Sequence, residues 1–160
     1  MRSERRLAPL AAVRLAPAIG AWALILPALK RGVPLQRLIK LMWPGNRRRS
    51  WPTAAVVRLT AALPHRVVGR DNCLERSLIA YRYLAQAGKH PRLVVGVRSG
   101  ADGVEGHVWV TIDDAPVHDR PHALASFEPV AVFGHGGSMT AGSRGADRWL
   151  SAAADFRASG

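Results

Sequence analysis

The chain has few of the residues that reinforce small exported or metal-bound domains. Its 160 residues include a single cysteine, so an internal disulfide cannot form. Without a Cys-x-x-Cys pair, a structural zinc site built on cysteines is excluded as well. Hydrophobic residues make up 48% of the sequence, which is ordinary for a globular protein. The composition therefore predicts one domain held by an apolar core.

Acidic residues are also few, 11 against 23 Lys and Arg, and the imbalance is local. Residues 1–50 contain 11 of the basic residues and one acid, Glu4, which gives +10, whereas residues 51–160 carry +2. Such a field favours an anionic partner without choosing between nucleic acid, lipid and acidic peptide. A solvated basic surface is the alternative. We expect a weak contact of residues 1–50 with an anionic surface, and no nucleic-acid partner.

Residues 15–29, LAPAIGAWALILPAL, form the longest uncharged stretch. Fifteen residues fall short of the roughly 20 that span a bilayer, and Pro17, Gly20 and Pro27 interrupt the stretch. No convincing signal-peptide cleavage site precedes Lys30. We therefore expect a buried amphipathic helix and a cytoplasmic protein.

Two more helices are expected before residue 64. The second is indicated by one apolar stripe with the spacing i, i+3, i+4, i+7, formed by Leu35, Leu38, Ile39 and Met42. The third has its buried face between Ala55 and Leu63, and Pro64 is expected to stop it. The first third of the chain therefore reads as about three short helices.

The single cysteine lies in the stretch 70-RDNCLERSLIAYRYLAQAG-88. Asn72 is a good N-cap, and Glu75 three residues later completes a capping-box pattern, which places Cys73 at the first helical position. Unpaired N–H groups and the positive end of the helix dipole both stabilise a thiolate there. A small buried cysteine is the alternative explanation, because free cysteines are usually buried. A nucleophile also needs a base.

Residues 107–113, HVWVTID, supply a candidate base on a strand with alternating faces. His107 and Trp109 share one face of that strand. The preceding residues 100–106 are expected to be a loop, residues 113–116 a turn, and residues 117–119 a short partner strand. In that hairpin Asp119 returns close to His107. We expect its carboxylate to accept the Nδ1–H of the imidazole, which leaves Nε2 to face a thiol.

The order Cys73, His107, Asp119 follows the logic of a catalytic triad, with nucleophile, general base and orienting acid. Each residue also has an ordinary structural explanation, since a lone histidine is often a hydrogen-bonded core residue and Asp119 alone is often a turn residue. Asp113 and Asp114 are competing carboxylates near the same turn.

Four segments, 72-NCLERSL-78, 88-GKHPRLVVGV-97, 107-HVWV-110 and 116-PVHD-119, resemble the leader peptidase of lasso-peptide biosynthesis. That family is a branch of the transglutaminase-like, papain-like cysteine enzymes, and the resemblance covers about residues 55–133. It implies that Cys73 is the nucleophile, His107 the general base and Asp119 the third member, with no cofactor. It also implies three partners: the leader–core junction of a precursor peptide, a separate leader-recognition protein and an ATP-dependent macrolactam synthetase.

The expected fold is α+β, with N-terminal helices packed on a transglutaminase-like core. The nucleophile starts a helix, and a small antiparallel sheet carries the histidine and the aspartate. We divide the chain into a basic helical region over residues 1–50, a cysteine peptidase core over residues 51–135 and a tail over residues 136–160. The tail is expected to be partly flexible, with a short helix over residues 147–156.

Several weaker signals favour structural explanations. His118 and His122 on either side of Asp119 resemble metal ligands, but Pro121 breaks the helix that would align them, so we expect no metal. Residues 134–137, GHGG, lack the flanking elements of a phosphate loop, and a flexible turn is favoured. The five tryptophans are better explained by packing than by base stacking.

Two other functions stay open. One is acyl transfer to an amine on the same scaffold, and the other is a non-enzymatic binding module that uses the basic first third of the chain.

Overall fold

Helices cover one face of an antiparallel sheet, which makes the fold α+β, as expected. A computed structural model of the chain describes residues 2–69, 72–101 and 103–142. The helices are α1 (Arg2–Gly32), α2 (Leu35–Met42), α3 (Thr53–Val68), α4 (Cys73–Gln86) and α5 (Pro121–Leu124). The strands are β1 (Arg92–Gly100), β2 (Gly103–Ile112), β3 (Ala115–Pro116), β4 (Glu128–Phe133) and β5 (Met139–Gly142). They lie in the order β3-β2-β1-β4-β5, and every neighbouring pair is antiparallel.

Helix α1 runs unbroken through Pro17 and Pro27, so the expected interruptions are wrong. A proline inside a helix removes one backbone hydrogen bond and costs about 3 kcal/mol. A row of side chains on the buried face offsets this loss, namely Leu15, Ile19, Ala23 and Leu26, each fully buried. The part from Val13 to Gly32 is also long and apolar enough to cross a membrane, although 28% of it is buried inside the protein. A mostly buried core helix of a soluble protein passes the same test, and so does a signal sequence near the N-terminus.

The expectations for α2 and α3 are met in part. All four residues of the predicted stripe in α2 are buried, as expected. Helix α3, however, continues past Pro64 to Val68, so the predicted stop is wrong. It ends at Gly69, whose φ of 73° is left-handed and whose N–H donates to the carbonyl of His65. A glycine C-cap of this kind ends a helix at little steric cost.

Helix α4 is the central element, because it packs on β1 and β2 on one side and on α1, α2 and α3 on the other. Asn72 caps it as predicted, since its side-chain oxygen accepts from the N–H groups of Leu74 and Glu75 at 3.1 and 3.3 Å. One hydrophobic core includes side chains from α1 and α2 as well as from the sheet. That core therefore runs across the boundary drawn near residue 50.

A buried ion pair joins α1 to the first turn of α4. The ammonium group of Lys30 lies 3.1 Å from a carboxylate oxygen of Glu75, and the two side chains are 7% and 3% exposed. Buried charges are tolerated when they are paired, because each compensates the desolvation of the other. Glu75, expected from sequence as part of a capping box, thus also fixes the position of its helix.

Strands β1 and β2 form a long hairpin in which Gly100 pairs with Gly103. The expected loop over residues 100–106 is therefore wrong, because β2 starts at Gly103 and Val104 to Gly106 belong to the strand. The glycines on either side of two central residues are a tight-turn signal, which explains why so short a connection suffices.

The next turn is at Asp113 and Asp114, which both have left-handed φ angles of 50° and 63°. Two successive residues with left-handed φ are typical of a two-residue hairpin turn. Aspartate tolerates this conformation better than most residues. The partner strand comprises only Ala115–Pro116, so the strand predicted over residues 117–119 is wrong. One further bond of this hairpin follows the strand, from the N–H of Val117 to the carbonyl of Val110 at 2.9 Å, before the chain bends away. Asp119 therefore lies in a bend after the sheet, and not on a strand.

After β4 the described chain makes a turn and then adds one more strand. His135–Gly137 forms a short 3₁₀ turn, so the turn expected over residues 134–137 is present, and β5 then pairs with β4. The buried hydroxyl of Tyr81 holds this turn, because it donates to the carbonyl of Gly134 and accepts from the N–H of Gly137. A side chain at Gly137 would clash with the backbone of Lys40, 2.9 Å away. The predicted helix over residues 147–156 lies outside the described residues.

The Lys30–Glu75 pair yields a stability prediction. Either Lys30→Met or Glu75→Leu should lower the free energy of unfolding by about 3–5 kcal/mol, because each removes one member of a buried ion pair. The double variant should recover most of that loss, since a buried pair replaced by apolar side chains is often neutral. Urea denaturation of the wild type, the two single variants and the double variant measures the coupling free energy between the two charges.

The exposed pair between Arg92 and Asp114 is the matched control, with side chains 54% and 82% exposed. Asp114→Asn keeps a residue that tolerates left-handed φ and should cost less than about 1 kcal/mol. Additive losses in the Lys30 and Glu75 double variant would show that the two charges do not stabilise each other.

Candidate active site

The first turn of α4 is docked against the outer edge of β2, the edge that faces away from β1. The buried hydroxyl of Ser77 donates to the carbonyl oxygen of Val108 at 2.9 Å. The Cys73 thiol receives a hydrogen bond from the backbone of the same Val108. Edge groups that would otherwise need a neighbouring strand are therefore satisfied by the helix, which fixes the sulfur beside β2.

His107 lies next to Val108 on β2 and reaches both other members of the predicted triad. Its Nε2 is 3.1 Å from Oδ1 of Asp119, and its ring also hydrogen-bonds to the Cys73 thiol. Since Nε2 faces the carboxylate, Nδ1 is the nitrogen left for the thiol. The expected roles of the two ring nitrogens are therefore reversed. The structure brings Cys73, His107 and Asp119 together, in the order sulfur, imidazole, carboxylate.

Arg76 is a fourth member of this site that the sequence reasoning missed. Its Nη2 lies 3.2 Å from Oδ1 of Asp119, the same oxygen that faces His107. Arg76 is three residues after Cys73 on α4, and this i, i+3 spacing, which puts both on one helix face, was the available signal. Among the nearby carboxylates Asp119 is the one on the imidazole, whereas Asp114 pairs with Arg92 at 2.6 Å.

The electrostatics favour a thiolate beside a charged imidazole. Burial raises the pKa of the Cys73 thiol, but the hydrogen bonds from His107 and Val108 and the charges of His107 and Arg76 outweigh it, so this pKa lies below its ordinary 9.0. The hydrogen bond to Asp119, followed by the one to Cys73, raises the pKa of His107 to about 9 against the opposing effect of burial. At neutral pH the pair can therefore exist as thiolate and imidazolium.

The carboxylate is held in its charged form by its neighbours. Burial opposes ionisation of Asp119, but the hydrogen bond from His107 and the charge of Arg76 lower its pKa below the ordinary value. A permanent anion at this place stabilises the imidazolium and fixes the ring orientation.

His118 binds α3 and so holds the bend that carries Asp119. Its Nε2 lies 3.0 Å from the hydroxyl oxygen of the buried Thr60 and 3.2 Å from the carbonyl oxygen of Val57. Pro121 starts α5, as a helix-initiating proline does. Within residues 2–69, 72–101 and 103–142 no three His, Cys, Asp or Glu side chains are grouped as metal ligands.

Aromatic rings flank the imidazole. Trp109 stacks beside His107 with ring centroids 6.0 Å apart, and Phe127 lies at 5.3 Å. The Trp109 ring lies over Gly96, where a Cβ would come within 2.7 Å of it, so a glycine is required. Trp109 was expected on this face from the strand alternation. Phe127 was missed, because it lies in a connection after α5 that carries no periodic signal.

Comparison with known proteins points to one family. Residues 7–132 match the family model described as the transglutaminase-like superfamily, whose members are typically enzymes with a Cys-His-Asp triad. The matched range contains Cys73, His107 and Asp119, and it begins within α1. No curated protein and no solved structure matches the chain.

The lowered thiol pKa predicts how Cys73 reacts with iodoacetamide as the pH changes. In the wild type the alkylation rate should reach half its maximum below pH 9.0, because the thiolate forms there. His107→Ala removes the hydrogen bond and the charge that lower the pKa, so the midpoint should move to higher pH. His122→Ala, on the exposed face of α5, is the control. An unchanged midpoint in His107→Ala would show that the imidazole does not activate the thiol.

A second prediction concerns Asp119. Its hydrogen bond is the largest cause of the raised His107 pKa, so Asp119→Asn should lower that pKa from about 9 towards 6.5. Titration of the His107 ring protons by NMR measures the shift directly. Asp114→Asn should leave the titration unchanged, since Asp114 pairs with Arg92 instead. The prediction fails if both variants titrate like the wild type.

Proposed function

The chain belongs to the transglutaminase-like superfamily, and we propose that it is a cysteine peptidase that removes the leader from a ribosomally made lasso-peptide precursor. The observation that carries the proposal is the thiol of Cys73 beside a His107 imidazole that Asp119 orients. This geometry suits acyl chemistry at a peptide bond. The resemblance of 72-NCLERSL-78 and 107-HVWV-110 to lasso leader peptidases supports this substrate class.

The reaction begins when the Cys73 thiolate attacks the carbonyl carbon at the leader–core junction. The N–H of Cys73, at the first position of α4, is suited to stabilise the oxyanion. His107 donates its Nδ1 proton to the leaving amine as the C–N bond breaks, which leaves a thioester on the sulfur. Its neutral ring then takes a proton from water, which attacks the thioester and releases the thiolate.

Arg76 and Asp119 keep the imidazole oriented through both half-reactions. Because one oxygen of Asp119 contacts both Arg76 and His107, the carboxylate is held from both sides. The imidazolium therefore keeps Nε2 directed at the carboxylate and Nδ1 at the sulfur.

The proposed partners follow from the substrate. A separate leader-recognition protein presents the precursor, and an ATP-dependent macrolactam synthetase takes up the freed core, which places the reaction in the cytoplasm. The exposed residues Arg47, Arg48 and Arg49 are candidates for a weak contact with an acidic leader or another anionic surface.

Acyl transfer to an amine is the second candidate function. The same superfamily match and the same thioester suit it equally, since the two reactions differ only in whether water or an amine accepts the acyl group.

Mass spectrometry of a precursor peptide incubated with this protein and the leader-recognition protein tests the proposal. Wild type should produce one cut at the leader–core junction, and Cys73→Ala should slow it by a factor of about 10³ or more, because the nucleophile is lost. His122→Ala should cut like the wild type.

An added primary amine separates the two reactions. Free acid as the main product supports the peptidase, whereas a stable amide with the added amine supports the transferase. A folded wild type that forms neither product would contradict both and favour a binding module.

A further inference from the structure

The outer edge of β2 continues past the active site towards the tip of the hairpin. In an antiparallel strand the N–H and C=O of one residue point to the same side, and alternate residues share a side. Val108 points outward, because its carbonyl accepts from Ser77. Val110 points the same way, because its carbonyl accepts from the N–H of Val117. By this two-residue period, Gly106 and Val104 also direct their backbone groups outward.

Among the strands that the structure describes, none lies beside the outward groups of these two residues. Strand β3 pairs only with Thr111 and Ile112, and β1 occupies the opposite edge of β2. Across the described residues, the outward N–H and C=O groups of Val104 and Gly106 neither donate nor accept a backbone hydrogen bond. Val104 is also 66% exposed. The hairpin thus presents two donors and two acceptors in the geometry of an open sheet edge.

This open edge leads directly into the catalytic residues. Val104 is three residues from His107, a distance of about 10 Å along a strand. Gly106, next to His107, has no side chain, and glycine within a strand is typical of a place where another backbone approaches closely. A peptide lying along the edge would therefore reach the Cys73 thiol without leaving the strand direction.

We infer that the edge formed by Val104 and Gly106 binds the residues next to the scissile bond as an added antiparallel strand. The inference rests on the proposed peptidase function and gives it a mode of substrate binding, in which main-chain hydrogen bonds hold the peptide extended. A ligand with free backbone groups is required, so the occupant is an unfolded peptide segment. Two outward residues are too short an edge for a stable dimer, which normally buries well over 1,000 Å² by general interface statistics.

Hydrogen exchange on the inactive Cys73→Ala protein tests this edge. The precursor peptide and the leader-recognition protein are added at saturation, and amide exchange is followed by NMR. The amides of Val104 and Gly106 should exchange more slowly by a factor of about ten or more, because each gains a carbonyl acceptor. The amide of Glu105, which already faces β1, is the internal control and should not change.

The outcomes separate this inference from the peptidase function. Protection of both amides supports the edge, even if the wild type cuts no precursor. If the wild type cuts the precursor but the two amides stay unprotected in Cys73→Ala, the inferred binding edge is wrong and the proposed peptidase function still holds. Protection that rises with protein concentration in the absence of peptide would also overturn it, since a second copy would then occupy the edge.

A pair of variants at Val104 provides a kinetic test. Val104→Pro removes one outward N–H and should raise KM about fivefold with little change in kcat, because it costs one hydrogen bond to the substrate. Proline is tolerated on an open strand edge, and the β1 ladder does not use this N–H. Val104→Thr keeps this N–H and is the matched comparison, so its KM should lie well below that of Val104→Pro. Equal KM values for both variants in folded proteins would contradict the inference.

Discussion

The candidate active site depends on the docking of one helix end against one strand edge. Where α4 begins, its first turn replaces the strand that would otherwise pair with Val108, through the Ser77 hydroxyl and the Cys73 thiol. The bond from Ser77 is buried and therefore strong, because water does not compete for the same groups. The rest of α4 is fixed by apolar packing, because the helix lies between the sheet and the other helices. A shift of the helix along the strand would separate sulfur from imidazole.

The polar groups of the site form a row, Arg76, Asp119, His107 and Cys73. The contacts along this row lower the pKa of Asp119, raise that of His107 and lower that of Cys73, so each shift favours the charged form. The arrangement crosses three parts of the chain, since α4 supplies two members, β2 one and the bend after β3 the fourth. Activation of the thiol is thus a property of the whole row of charges, and not of the helix N-terminus alone.

The sequence predicted those parts of the molecule that follow from local rules. The cap at Asn72, the apolar stripe of α2 and the strand from His107 to Ile112 depend on spacing and side-chain type, and the structure contains all three. Tertiary effects account for the differences. Packing of one face keeps α1 helical through Pro17, and the register of β2 does not determine which ring nitrogen of His107 faces Asp119. The contact between Arg76 and Asp119 joins residues 43 apart, so no local pattern reveals it.

The link between Thr60 and His118 ties the bend that carries Asp119 to α3, a helix that supplies none of the four side chains of the candidate site. Thr60 is fully buried in α3, and its hydroxyl holds the residue next to Asp119. Helix α3 therefore acts as a support for the candidate site, and changes around Thr60 are expected to act on it through the bend that carries Asp119.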